Sequence, residues 1–220
     1  MARLLLTISS LIILSCPTLA DTGVPYVGAI DHNLDAPTTI LVHPDGSGPP
    51  LSEARSGGIA VDATIRVRLV DLYGYPIAVF PWEDIWLQFE VGEGTATGCF
   101  SYPAFPGGIF MADEATDFDG WTQFAQPLHG GGWSEVSVTV YLNGWPAMDP
   151  DQTVYPSLPL GMVSPDINGD LVVGLSDIAH FVQDLRDVGG VDPRSDFNND
   201  SVINLADIVL LTQALGAACE

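Results

Sequence analysis

The chain has 220 residues, of which 47% are hydrophobic, and its 28 acidic residues face six arginines and no lysine, so the net charge is −22 at pH 7. We therefore expect no nucleic acid or anionic lipid as a partner, because both are bound through basic patches. Cations and neutral sugars remain compatible with this composition. The length is enough for one sizeable core and a smaller second unit, so we expect two domains.

The first twenty residues predict a secretory signal. Arg3 precedes an apolar run that ends at Pro17 and a small-residue site at Ala20, and the run is too short to span a bilayer comfortably. We expect residues 1–20 to be removed, leaving a secreted, extracellular or surface-attached chain with no transmembrane helix. The alternative is a lipoprotein signal that is acylated at Cys16.

Two cysteines, Cys99 and Cys219, remain after this cleavage. An exported protein folds under oxidising conditions, so the first alternative is a disulfide that ties the N-terminal domain to the end of the chain. The second alternative is a pair of free thiols, because the sequence does not give the separation of the two Cα atoms.

Residues 21–149 predict a β-sandwich. Apolar and polar residues alternate over 64–69, 85–91 and 136–142, and a shorter β-prone run covers 39–43. Turn signals rich in Gly, Pro and Asp separate these runs. Short strands with one buried face and frequent turns are typical of a sandwich, so the fold class is mainly β.

The run IRVRLVDLYGYPIAVF, followed by an acidic-glycine turn and WTQF, resembles bacterial immunoglobulin-like domains of the invasin type. Those domains carry a similar strand, D-x-x-G-x-P turn and strand. The resemblance covers about half of residues 60–145 and implies an immunoglobulin-like sandwich. Folds of this kind host many functions, so it implies no activity.

Residues 150–164 predict a linker. Prolines recur at 150, 156 and 159, with another at 165. Proline restrains φ and removes a backbone donor, so we expect a semi-rigid segment between two domains.

The sequence DINGDLVVGLSD at 166–177 is echoed thirty residues later by DFNNDSVINLAD at 196–207. Both copies have Asp, Asn, Asp and Asp at their first, third, fifth and twelfth positions, which is the spacing of a twelve-residue calcium loop. The seventh position contributes its backbone carbonyl. The predicted ligands of two Ca²⁺ ions are Asp166, Asn168, Asp170, Val172 and Asp177, and Asp196, Asn198, Asp200, Val202 and Asp207.

The alternative for these segments is a pair of Asx-rich turns that cap helices and bind no metal. We favour calcium because three carboxylates in each loop repel one another unless a cation lies between them. The sixth position, which is Gly in a standard EF-hand loop, is Leu171 or Ser201 here. If the backbone there needs a positive φ, Leu171 costs about 1 kcal/mol, so we expect the second loop to bind more tightly.

Apolar residues at helical spacing follow each loop. They are Leu175, Ile178, Phe181, Val182 and Leu185 in the first copy and Leu205, Ile208, Val209, Leu211 and Leu215 in the second. A loop and a helix, repeated from Ser164 to the end, resemble the type I dockerin family, a duplicated calcium-loop module. That family attaches secreted proteins to cohesin partners, often in polysaccharide-degrading assemblies.

The dockerin resemblance implies a small all-α module over 165–220 and a cohesin-type or cell-surface protein as its partner. It also implies that the tenth and eleventh loop positions contact this partner. In this chain those positions are Leu175 and Ser176 in the first loop and Leu205 and Ala206 in the second. They depart from the Ser-Thr pair that is frequent in the family.

The sequence predicts no catalytic site. Its four histidines are scattered, and neither a nucleophile elbow nor a phosphate-binding glycine loop is present. Paired carboxylates of a glycoside hydrolase are the remaining enzymatic alternative. Asp113, Asp117 and Asp119 are interpreted as part of a turn, with a further calcium site as the alternative.

Five tryptophans raise a carbohydrate-binding hypothesis, with Trp86 as the candidate exposed ring on the face opposite Ile85 and Leu87. The alternative is that Trp86 faces the second sheet or the linker and the other tryptophans fill the core. We therefore expect a secreted, non-catalytic protein in which a calcium-loaded dockerin-like module anchors a sandwich to a partner protein. A carbohydrate-binding module on the same anchor, with a polysaccharide partner, is the second hypothesis.

Overall fold

A computed structural model describes residues 24–92, 94–100, 108–187 and 190–219. The strands within these ranges are β1 (Tyr26–Asp31), β2 (Thr38–Leu41), β3 (Ala54–Ser56), β4 (Ile59–Val61), β5 (Ile65–Val70), β6 (Ile85–Phe89), β7 (Thr97–Gly98), β8 (Phe110–Met111), β9 (Trp121–Phe124), β10 (Gly130–Gly131), β11 (Val138–Leu142), β12 (Trp145–Pro146) and β13 (Leu160–Val163). The helices are α1 (Leu175–Arg186) and α2 (Leu205–Gln213), and short 3-10 turns cover Leu51–Glu53, Trp82–Asp84 and Pro193–Ser195. The mainly β class, with both of these helices near the C-terminus, is confirmed.

Two antiparallel sheets form the body of the N-terminal part. One has the strand order β1-β5-β9 and the other β12-β11-β6-β8. The strands β5, β6 and β11 lie in the three runs of alternating apolar and polar residues, and one face of each enters the core. Buried side chains from both sheets meet in one cluster, which includes Val27, Ile65, Val67, Leu69, Ile85, Leu87, Phe89, Val138, Val140 and Leu142.

A third sheet corrects the predicted linker over 150–164. Its order is β13-β2-β3-β4, and β13 runs parallel to β2 with Leu160 opposite Thr38 and Val163 opposite Leu41. All four residues of β13 are buried. The prolines mark bends in this segment, but the apolar run LGMV is covered on both faces and therefore belongs to the folded body.

The structure joins Cys99 to Cys219 in a disulfide, with their Cα atoms 5.7 Å apart. Of the two alternatives for these cysteines, the molecule therefore has the bridge. Cys99 directly follows β7, which pairs with β10 through Gly98 and Gly130. The disulfide thus fastens the end of the chain beside this two-stranded sheet.

The two helices and the loops before them share a second core. Phe181 of α1 stacks on Phe197 of the second loop, with ring centroids 5.8 Å apart. Val163 of β13 is a member of this cluster, and Leu41 and Trp133 pack against it. The C-terminal module therefore lies directly on the sandwich, and a free linker does not separate them.

Candidate calcium-binding loops

The first loop is organised around the carboxylate of Asp166, which is fully buried. Its Oδ1 accepts hydrogen bonds from the backbone N–H groups of Gly169 and Asp170 at 3.1 and 3.2 Å. Its Oδ2 accepts from the N–H of Leu171 at 2.7 Å. The chain therefore wraps around the first predicted ligand.

The second loop repeats this arrangement. Asp196 Oδ1 accepts from the N–H of Asp200 at 3.1 Å, and Oδ2 accepts from Ser201 at 2.7 Å. The third and fifth positions also match, since Asn168 Nδ2 donates to Asp170 Oδ2 at 3.0 Å and Asn198 Nδ2 donates to Asp200 Oδ2 at 3.0 Å. The duplicated sequence thus folds into two loops of one design.

The twelfth position closes each loop and starts a helix. Asp177 Oδ2 accepts from the N–H of Gly174 at 2.8 Å, and Asp207 Oδ2 accepts from the N–H of Asn204 at 2.9 Å. The other oxygen of Asp177 accepts from the N–H of Asn168 at 3.3 Å. A carboxylate here also gains from the helix dipole, so its position does not depend on a metal.

The backbone takes a positive φ at the sixth position of both loops, +68° at Leu171 and +67° at Ser201. This is the left-handed conformation that a standard EF-hand loop reserves for Gly. Both loops therefore make the turn that a twelve-residue calcium loop requires, and both do so with a residue that carries a side chain.

The carboxylates of the loops lack a positively charged partner among the described residues, whose ion pairs join Arg194 to Asp184 and Asp192 instead. Burial, with the charges of Asp177 and Asp170 as smaller contributions, raises the pKa of Asp166 to about 6, against the lowering effect of the backbone hydrogen bonds to its carboxylate. Burial also raises the pKa of Asp196, with Asp207 and Asp200 contributing. Burial is the largest cause of both shifts, and a cation between these groups would relieve the charge repulsion that adds to it.

The donor set suits a hard cation. Each loop offers carboxylates, an Asn side chain and the carbonyl of Val172 or Val202, which are the oxygen ligands that calcium prefers. The Val202 carbonyl accepts a hydrogen bond from Asn204 Nδ2 at 3.3 Å. Among the described residues, no group of three or more His, Cys, Asp or Glu side chains is gathered closely enough to hold a metal ion by itself.

Both loops pack against the sandwich, which the sequence did not predict. The N–H of Gly132 donates to the Asp166 carbonyl at 2.6 Å, and the Asp166 carboxylate lies directly against Gly131. In the second loop, Asn199 Nδ2 donates to the carbonyl of Arg55 at 3.0 Å. The triple glycine at 130–132 allows this close approach, because no side chain stands between the backbone and the loop.

The predicted partner-contact residues all lie on the surface at the start of the helices. Leu175 is 85% exposed and Leu205 is 71% exposed, and Ser176 and Ala206 are exposed beside them. The apolar residues of each helix are therefore divided between the second core and the surface. Ile178 and Phe181 of α1 and Ile208 and Leu211 of α2 belong to or pack against the second core, and the remaining apolar positions are partly buried or face solvent.

The other candidates from the sequence have structural roles. Trp86 is 6% exposed and stacks on Tyr141 with ring centroids 5.7 Å apart, so it is not an exposed platform for a sugar ring. Asp117 Oδ1 accepts from the N–H groups of Asp119 and Trp121, both at 2.9 Å, which confirms the turn. The signal over 1–20 and Cys16 lie outside the described residues.

Comparisons of the chain with protein-family models, with curated proteins and with solved structures gave no match. Across the described residues, no helix combines the length and the apolar character needed to span a membrane.

Proposed function

We propose that this is a secreted, non-catalytic calcium-binding protein whose C-terminal dockerin-like module anchors an immunoglobulin-like sandwich to a cohesin-type or cell-surface protein. One observation carries the proposal: two loops, thirty residues apart, have the same hydrogen bonds around a buried first Asp and the same positive φ at the sixth position. Capping a helix needs one side-chain oxygen, whereas each loop carries three carboxylates within twelve residues. This excess of charge supports a bound cation.

The exposed apolar residues of the module support docking. Leu175 and Leu205 are leucines at the first helical positions, and burying either side chain against a partner stabilises a complex by about 1.5–3 kcal/mol. Because the two repeats present the same positions, we propose that either copy docks, in orientations related by a near twofold rotation.

Calcium binding is tested at the fifth loop position, where Asp170 and Asp200 are exposed. Asp170→Ala and Asp200→Ala each remove one predicted ligand and leave the buried first Asp in place. Calorimetry of the parent should give two calcium sites, and each variant should retain one tight site. Asp151→Ala, an exposed carboxylate outside the loops, should retain both. A parent protein with no heat of calcium binding would remove the basis of the proposal.

Docking is tested separately with immobilised cohesin domains from the same source. Capture should occur in calcium and be lost in chelator. Leu175→Asp combined with Leu205→Asp should abolish capture while calcium calorimetry stays unchanged, because both side chains point away from the second core. Leu72→Asp places the same charge at an exposed leucine of the sandwich and should have no effect. If the Leu175→Asp and Leu205→Asp double variant is captured as well as Leu72→Asp, docking does not occur through the module's helices.

A further inference from the structure

A concave site lies at one edge of the sandwich, away from the calcium loops. It encloses about 220 Å³, and its walls come from the segment that leads into β1, the turn between β11 and β12, and the turn after β12. Trp145 forms one side and is 69% exposed. A large aromatic ring that is left this exposed beside a cavity has apolar surface available for a ligand.

The backbone fixes this site before any ligand arrives. Asn143 and Gly144 form the tight turn between β11 and β12, with φ of +51° and +86°. A second turn closes where the N–H of Gln152 donates to the Asp149 carbonyl at 2.9 Å, and the N–H of Val27 ties β1 to Met148 at 2.8 Å. Such fixed walls lower the ordering cost of binding.

The chemistry of the lining selects the ligand. Of the described residues that line the site, none carries a charge, although the chain as a whole is at −22. The polar groups among these side chains include the hydroxyl of Tyr26 and the amides of Asn143 and Gln152, which both donate and accept hydrogen bonds. The volume is below the roughly 300–1,000 Å³ of pockets for drug-sized ligands, so it suits one small ring.

We propose that this site binds one pyranose unit of a neutral saccharide. The apolar C–H face of the ring stacks on the indole of Trp145, and the Asn143 and Gln152 amides hydrogen-bond its hydroxyl groups. An acidic sugar is disfavoured, because no cation lines the site and the surrounding charge is negative. The inference rests on the sandwich alone and is independent of calcium and of docking.

The test uses the mature, disulfide-bonded protein and neutral β-linked tetrasaccharides of glucose, mannose and xylose, with binding followed by tryptophan fluorescence and calorimetry. At least one of them should bind, and Trp145→Ala should weaken that binding at least tenfold. Asn143→Gly and Gln152→Gly keep the positive φ of each turn while removing the amide. Each should weaken binding about 2- to 10-fold, the range that one lost hydrogen bond gives.

Trp82→Ala is the matched control, because Trp82 is a partly exposed tryptophan that lines a different cavity. It should leave the affinity unchanged, and unchanged circular dichroism spectra of all variants exclude misfolding. The inference is overturned if no neutral tetrasaccharide binds at millimolar concentration, if Trp145→Ala binds as well as the parent, or if tetragalacturonate, the acidic probe, binds equally well.

Discussion

Leu171 and Ser201 make the sharp turn of the two candidate calcium loops without glycine. Their φ values differ by one degree, so the two loops share the same strained conformation. Leu171 and Ser201 occupy equivalent positions with the same backbone conformation. The tighter calcium binding expected of the second loop therefore depends on the difference between their side chains alone. It stays a prediction for calorimetry to decide.

Ser201→Gly should stabilise the protein. Glycine adopts a positive φ without steric cost, and Ser201 is exposed, so the substitution removes strain and little packing. We expect the free energy of unfolding in calcium to rise by about 0.5–1 kcal/mol, measured by urea denaturation. Ala206→Gly, at a regular helical position in the first turn of α2, should lower it by about 1 kcal/mol. If Ser201→Gly also lowers the free energy of unfolding, the sixth position is not strained.

Trp86 shows that the pattern of residues along a strand does not determine whether a side chain on its outer face is exposed. The alternation around it correctly placed Ile85 and Leu87 in the core and Trp86 on the other face of β6. It did not reveal that Tyr141, opposite Trp86 on β11, would cover the indole. Exposure depends on which strands become neighbours, and strand pairing is a non-local property.

At the scale of elements, the sequence predicted the strands that face the core on one side. The strands β5, β6 and β11 alternate clearly and were identified, whereas β13 was interpreted as part of a linker. Its four residues are buried, so it shows no polar alternation, and nearby prolines suggested a linker instead. The repeated loops before the two helices were recognisable because the spacing of their oxygen donors is local to twelve residues.

Met162 tests whether β13 belongs to the folded body. Its side chain is fully buried in the first core, so Met162→Ala should lower the free energy of unfolding by about 2–5 kcal/mol. Pro156→Ala, at an exposed position of the same segment, should change it by less than about 0.5 kcal/mol. Urea denaturation measures both. A Met162→Ala variant as stable as the parent would restore the linker interpretation.

The ion pair between Asp184 of α1 and Arg194, in the turn before the second loop, makes the stability of the protein depend on pH. Asp184 accepts from Arg194 Nη2 at 2.6 Å and Nε at 2.8 Å, and from Ser195 Oγ at 2.6 Å. Burial acts to raise the pKa of Asp184, but the hydrogen bonds from Arg194 and Ser195 and the charge of Arg194 outweigh it, so the pKa is lowered. The charged form is therefore favoured by folding.

Asp184→Asn should thus cost about 1–3 kcal/mol of stability at pH 7, because it leaves Arg194 without its charged partner. A lowered pKa contributes stability above the ordinary Asp value of about 4 and loses it as the pH falls through the folded-state value. The difference between parent and variant should accordingly shrink below about pH 4 in a series of urea denaturations. A difference that is independent of pH would contradict the charged pair. Asp151→Asn, which is exposed, serves as the control.

For the whole molecule, the sequence predicted two domains joined by a linker. In the structure the two parts are also in contact at several points. The sandwich contributes Val163 to the core of the module, and the disulfide fastens the chain end to the sandwich. None of these contacts has a local signature, since the cysteines are 120 residues apart. The composition therefore indicated two units but not how they pack together.

Replacing both cysteines by serine should lower the free energy of unfolding by about 2–5 kcal/mol, because the bridge closes a long loop in the unfolded chain. Urea denaturation of Cys99→Ser with Cys219→Ser measures this loss. Peptide mapping without reductant should show one cross-linked pair in the parent. Labelling of both positions by a thiol reagent in the native parent would contradict the bridge.

Gly131 of the sandwich contacts the first candidate calcium loop. Because the Asp166 carboxylate lies directly against it, a Cβ at this position would overlap Asp166 Oδ2. Gly131→Ala should therefore displace the first ligand and weaken calcium binding at the first loop, at least tenfold if the displacement costs about 1.4 kcal/mol. The second loop contacts the sandwich elsewhere, through Asn199 and Arg55, so its affinity should not change and provides an internal control.

Calorimetry measures the two loops separately, because Asp200→Ala leaves the first loop to be recorded and Asp170→Ala leaves the second. If calcium binds to the first loop with equal affinity in Gly131→Ala and the parent, the sandwich does not position this loop.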